Sequence, residues 1–147
     1  MKIRLLLVAI AALGLTACDN IDPNSPLGQR KAIFKQMLRT SEDLGGMLRG
    51  RIPFDDKKFA EGAIKLNELA QKPWQHFPAT REDNSSSRPE VWSKPDLFKQ
   101  RTEEFKTSTA ALLEASRAQP LRAEALAAPV EQMQKTCRAC HDEFRRY

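Results

Sequence analysis

Cysteine is scarce in this chain, three residues in 147, and two of the three stand together in Cys137-Arg138-Ala139-Cys140-His141. Two cysteines separated by two residues and followed by histidine form the pattern of covalent c-type haem attachment. Each thiol adds across one vinyl group of the porphyrin and leaves a thioether. On a helix, Cys137 and Cys140 are i, i+3 neighbours, so both reach the rim of one ring. His141 then offers a neutral imidazole nitrogen to the iron as an axial ligand. Zinc is the weaker reading, since a structural site needs about four N or S ligands and the sequence has no second pair. A thioredoxin-type redox pair belongs beside a strand–helix unit, and this pair ends a helical pattern. Only six residues follow His141, so a fold that houses a haem is expected from the residues before it.

Those residues read as helices. Ile33, Phe34, Met37, Leu38, Ser41, Leu44 and Leu48 keep an i, i+3, i+4 rhythm across Leu27 to Gly50. Gly45 and Gly46 interrupt it, either weakening the helix or letting another backbone approach. Phe59, Ala63, Leu66 and Ala70 make one stripe of a second helix, from a cap at Asp55 or Asp56 to Lys72. Pro95 opens a third, to Ala118, with Phe98, Arg101, Phe105, Thr109, Leu112 and Ser116 along its seam. The fourth, Leu121 to Arg146, carries Leu126, Val130, Met133, Cys137, His141 and Phe144 on one face, and Pro129 is expected to kink it or delay its start. Between the second and third lies a long irregular connection, Pro73 to Lys94, pinned by Trp74, Phe77, Val91 and Trp92. Both tryptophans and His76 read as packing or surface residues. No segment alternates as a strand does. The expected fold is all-α, an antiparallel four-helix bundle with one long crossover and the haem on its C-terminal helix.

The N-terminus is a different kind of segment. Lys2 and Arg4 precede a short apolar run to Leu13, the form of a secretory signal over residues 1–17. Leu15-Thr16-Ala17-Cys18 resembles a bacterial lipobox, which implies cleavage before Cys18 and lipidation of that residue. Multiple acyl chains anchor stably where one alone is marginal. Residues 18–26 then form a lipidated tether and 27–147 the bundle. Asp19 resembles an inner-membrane retention signal, so the expected location is the periplasmic face of the inner membrane; an ordinary signal and a soluble periplasmic protein is the alternative. Without the signal the chain has 22 basic and 19 acidic side chains. Opposite charges alternate along it, which speaks against nucleic-acid binding.

Arg30-Lys31-Ala32-Ile33-Phe34-Lys35, then Glu90-Val91-Trp92 with Phe98, then Cys137 to His141 with Phe144-Arg145, resemble in this order the class II cytochromes c, the cytochrome c-prime family. The resemblance covers nearly all of Gln29 to Tyr147. It implies one covalently attached haem c, no enzymatic activity, and a first helix whose Arg30 lies near the haem propionates. It implies that Phe34 faces the iron opposite His141, and that Arg145 corresponds to an arginine on the histidine side. Phenylalanine has no lone pair, so the implied iron is five-coordinate and sterically capped, suited to nitric oxide or carbon monoxide. Met37 is the competing sixth ligand; with it the protein is a low-spin electron-transfer cytochrome working with a redox partner protein. A homodimer through the first two helices is a further expectation from the family.

Overall fold

The computed structural model describes residues 21–82 and 84–147, so Cys18 and the apolar leader lie outside the described residues. Four long helices make the bundle: α1 (Pro26–Leu48), α2 (Asp56–Leu69), α4 (Pro95–Ala115) and α5 (Ala123–Phe144), with a four-residue α3 (Glu90–Ser93) in the crossover. Each start has a local cause. Ser25 caps α1, its hydroxyl accepting the Gly28 N–H at 3.1 Å, and Pro26 occupies the first turn, where a missing N–H costs nothing. Asp55 caps α2 by accepting the Lys58 N–H at 2.9 Å. At the far end of α1, Gly50 takes φ +69°, the left-handed conformation that ends a helix without a Cβ penalty.

The stripes meet in one core. Leu44 of α1, Phe59 and Leu66 of α2, Leu112 of α4, and Leu126 and Met133 of α5 are each less than 2% exposed. α4 packs most extensively on α5, and α1 on α2. Ser108 and Thr136 share a buried hydrogen bond of 2.9 Å across the α4–α5 seam. Leu38 lies outside the core: it is 58% exposed and borders a cavity between the helices. Gly45 and Gly46 do not interrupt α1. A Cβ at Gly45 would meet the Arg49 and Gln134 side chains, and one at Gly46 would meet Ile52, so side chains rather than backbone fill the space. Pro129 sits inside α5 without delaying it, because the helix is already established at Ala123.

The crossover is more ordered than its composition implies. Pro73–His76 forms a 3-10 turn, and α3 follows later. Trp74 Nε1 donates to the Ala70 carbonyl at 2.6 Å and Trp92 Nε1 to the Pro78 carbonyl at 2.9 Å, so both indoles pack as expected. The segment 85–88 clasps the end of α5. Arg88 N–H donates to the Phe144 carbonyl and Arg146 N–H to the Ser86 carbonyl, both at 2.8 Å, with an isolated antiparallel bridge between Ser87 and Arg145.

Candidate haem site

α1, the crossover, α4 and α5 enclose a cavity of about 780 Å³, within the range of cofactor sites. α5 contributes Cys137, Cys140, His141 and Phe144 to its lining. α1 contributes Arg30, Phe34, Met37 and Leu38. Aromatic rings make much of the remaining wall. Trp74 contacts Phe34 edge-on at 5.9 Å between centroids and stacks on Phe77 at 6.4 Å. Phe98 meets Phe77 at 5.0 Å and Phe144 at 5.2 Å. Such pairs fix one another's orientation and keep water out.

The chemistry of the donors follows from burial. Cys137 is pushed up to about 12, first by burial and then by Cys140 beside it. Cys140 is pushed up to about 11, also by burial. Both are therefore thiols at neutral pH, unlike the low-pKa thiolates of redox pairs. Burial, and then the cation of Arg145, lower His141 below the ordinary histidine value, while Asp142 opposes the shift. The imidazole is accordingly neutral and free to bind a metal. Among the described residues no three His, Cys, Asp or Glu side chains converge to hold a metal ion by themselves. Two thiols one turn apart, a neutral imidazole and an aromatic cavity fit a covalently held haem; they do not fit a protein-only zinc site.

The other expected residues are distributed as follows. Arg30 is 2% exposed. Its guanidinium donates to the His76 carbonyl at 2.6 Å and to Ser85 Oγ at 3.1 Å, pairs with the Glu82 carboxylate, and lies over the Phe77 ring. Arg145 falls just past the end of α5 in extended backbone, where its N–H closes the last helical turn on the His141 carbonyl at 3.0 Å. Its side chain lies over Tyr147 and still lines the cavity. Met37 is buried in the core at 7% exposure yet also touches the cavity. Met133 packs against Cys137, with sulfurs 3.8 Å apart. Glu82 and Ser85 are further members of the site that no sequence motif marks. They sit in a polar loop more than fifty positions from Arg30, and no periodic signal links them to it.

Fold and site together define a four-helix-bundle protein of the c-type haem class. A family model described as Cytochrome C' matches residues 25–145. The cytochrome c' of Alcaligenes xylosoxydans xylosoxydans is 31% identical over 125 residues, 84% of this chain and 95% of that protein. The chain belongs to the cytochrome c' family, carries one covalent haem c, and is non-enzymatic like that family. Its fold matches the cytochrome c prime of Shewanella frigidimarina, with a TM-score of 0.79, 24% identity, and coverage of 86% of this chain and 98% of that one. A carbon monoxide-bound variant of the Alcaligenes xylosoxidans protein matches with a TM-score of 0.77 and 25% identity over 86% of this chain and 98% of that chain. A nitric oxide complex of another variant of the same protein matches at 0.76 and 25%, over 84% and 98%.

Proposed function

We propose that this chain is a periplasm-facing cytochrome whose haem is held by thioethers at Cys137 and Cys140, with His141 as the one protein ligand to iron. The iron is five-coordinate and takes up nitric oxide or carbon monoxide at a sterically capped position. One observation carries this reading: the cavity wall on α1 presents Phe34, a ring without a lone pair, braced against Trp74. When bound, the haem would supply an iron with affinity for the His141 imidazole and for a diatomic ligand. The chain supplies the rest. Phe34 limits space for the ligand, and the surrounding aromatic rings exclude water. Phe34 also donates no hydrogen bond, which disfavours dioxygen relative to nitric oxide and carbon monoxide. The Arg145 cation helps keep His141 neutral. Arg30, buried at the cavity wall, serves the propionates. The gas complexes of the Alcaligenes relative support the same ligand class.

Met37 carries the second reading, because its thioether touches the same cavity and such a group ligates haem iron in low-spin cytochromes. The optical spectrum of the ferrous protein, with and without carbon monoxide, decides. The proposal expects a high-spin spectrum that changes on adding the gas. A low-spin spectrum indifferent to it sinks the five-coordinate assignment and favours electron transfer with a protein partner.

The reading extends to the N-terminus: cleavage of residues 1–17, lipidation of Cys18, and a short tether to the bundle. The lipobox-like Leu15 to Cys18 after an apolar run supports it. Pairing of two copies through α1 and α2 is supported by Ile64, which is 46% exposed on α2 and lies outside the cavity lining.

A further inference from the structure

The two helices that bear Phe34 and His141 are joined through one residue of the crossover, by its hydroxyl on the α1 side and its carbonyl on the α5 side. Ser85 is 5% exposed and lies at the junction of three bonds. Its hydroxyl accepts from Arg30 Nη2 at 3.1 Å and from the Ser87 N–H at 3.1 Å. Its carbonyl accepts from Arg146 Nη2 at 2.9 Å. Arg30 stands on α1, one turn before Phe34, and Arg146 follows the end of α5, beside Arg145. Glu82 completes the α1 side by pairing with the same Arg30 nitrogen. On the α5 side, the neighbouring residues repeat the connection: Arg146 N–H to the Ser86 carbonyl, Arg88 N–H to the Phe144 carbonyl, and Arg88 Nη1 to the Asp142 carbonyl at 3.0 Å. Ser85, Ser86 and Ser87 themselves line the cavity.

We propose that Ser85 is a positioning residue, with Glu82 as its support, and that this strap sets the separation of the Phe34 wall from the His141 wall and so the access of a diatomic ligand. A buried guanidinium demands its acceptors, because an unpaired charge away from water is costly. Arg30 is therefore tied to the crossover through the His76 carbonyl, Glu82 and the Ser85 hydroxyl, and of these Ser85 Oγ is the acceptor that also reaches the α5 clasp, through the Ser87 N–H. The other end of the strap is held by main-chain bonds to α5. Removing the hydroxyl loosens the α1 end directly and frees the Ser87 N–H, which lies inside the α5 clasp between the Ser86 carbonyl and the Arg88 N–H. Both groups act through the spacing of the walls.

This inference rests on the gas-binding reading above, and the test separates the two. In the haem-loaded full chain, Ser85→Ala is compared with Ser85→Thr, which keeps the hydroxyl, and with Glu82→Gln. Carbon monoxide association with the ferrous protein is measured by flash photolysis, and amide hydrogen exchange is followed at Arg88 and Arg146. Ser85→Ala is expected to speed association by about tenfold, the equivalent of one hydrogen bond to a charged group, and to speed exchange at both amides. Ser85→Thr restores both. Association unchanged in Ser85→Ala overturns the proposal, even where exchange has risen, since Ser85 then only fastens the loop. Should Ser85→Ala fail to fold, Glu82→Gln decides by the same criterion. A wild-type protein that takes up no carbon monoxide overturns the gas-binding reading instead. The control of access falls with that reading, whereas exchange still tests whether Ser85 holds the strap, and unchanged rates at Arg88 and Arg146 in Ser85→Ala overturn that as well.

Discussion

At the scale of single residues, Phe34 and the two thiols have separable roles. Phe34→Ala opens the α1 wall, and carbon monoxide association is expected to rise on the order of tenfold, a barrier lower by ~1.4 kcal/mol. Phe34→Met puts a thioether where the ring was; the ferrous spectrum is expected to become low-spin and to ignore the gas. The same two measurements on the same two variants check both outcomes. The thiols give a pH prediction in the haem-free chain. Their folded values lie above 9.0, at about 12 and about 11. The protonated form is thus the one the fold favours, and the stability this adds is present below pH 9 and lost as pH rises through those values. The thiolate is the nucleophile, so alkylation at pH 8 is expected on the order of a hundredfold slower in the folded chain than in urea. Equal rates would show that the fold does not bury them.

At the scale of elements, α2 is a buttress rather than a wall. Leu66 is its one residue in the cavity lining. Leu44→Ala, in the α1–α2 core where Gly62 leaves room for the leucine, is expected to cost about 2–5 kcal/mol in urea unfolding. The optical spectrum and carbon monoxide kinetics of the loaded protein should not change; a spectral shift would mean that α1 moves with α2. The contrast also explains what the sequence could reveal. Helix periodicity is a local signal, and it located all four long helices and the face of α5 that bears the motif. Leu38 obeys that periodicity yet stays out of the core, because the stripe does not say whether a side chain meets a neighbouring helix or borders the cavity, as Leu38 does. The strap was illegible for a different reason. Arg30, Glu82, Ser85 and Arg146 meet only when the crossover folds back over the cavity, and a polar loop carries no pattern that says so. The short α3 likewise buries Val91 and ties Trp92 Nε1 to the Pro78 carbonyl, contacts that a local pattern does not announce.

At the scale of the whole molecule, the bundle and the segment before it make different demands. Among the described residues no helix is long and apolar enough to cross a membrane. Attachment under the proposed reading therefore depends on one sulfur, Cys18. Intact mass of the N-terminal peptide is expected to exceed that of the bare cysteine by its acyl groups, and Cys18→Ser should move the protein from the membrane fraction to the periplasmic extract. An unmodified Cys18 in the wild-type protein refutes the anchor. The aromatic wall has one more consequence. Trp74 is half-buried, in contact with Phe34, Phe98 and Phe105, and is part of the haem cavity itself. Indole emission overlaps porphyrin absorption, so a haem seated there drains the excited state of Trp74 by energy transfer. The chain thus contains an intrinsic optical gauge of its own maturation: bright while the attachment site is vacant, dark once the cofactor is in place.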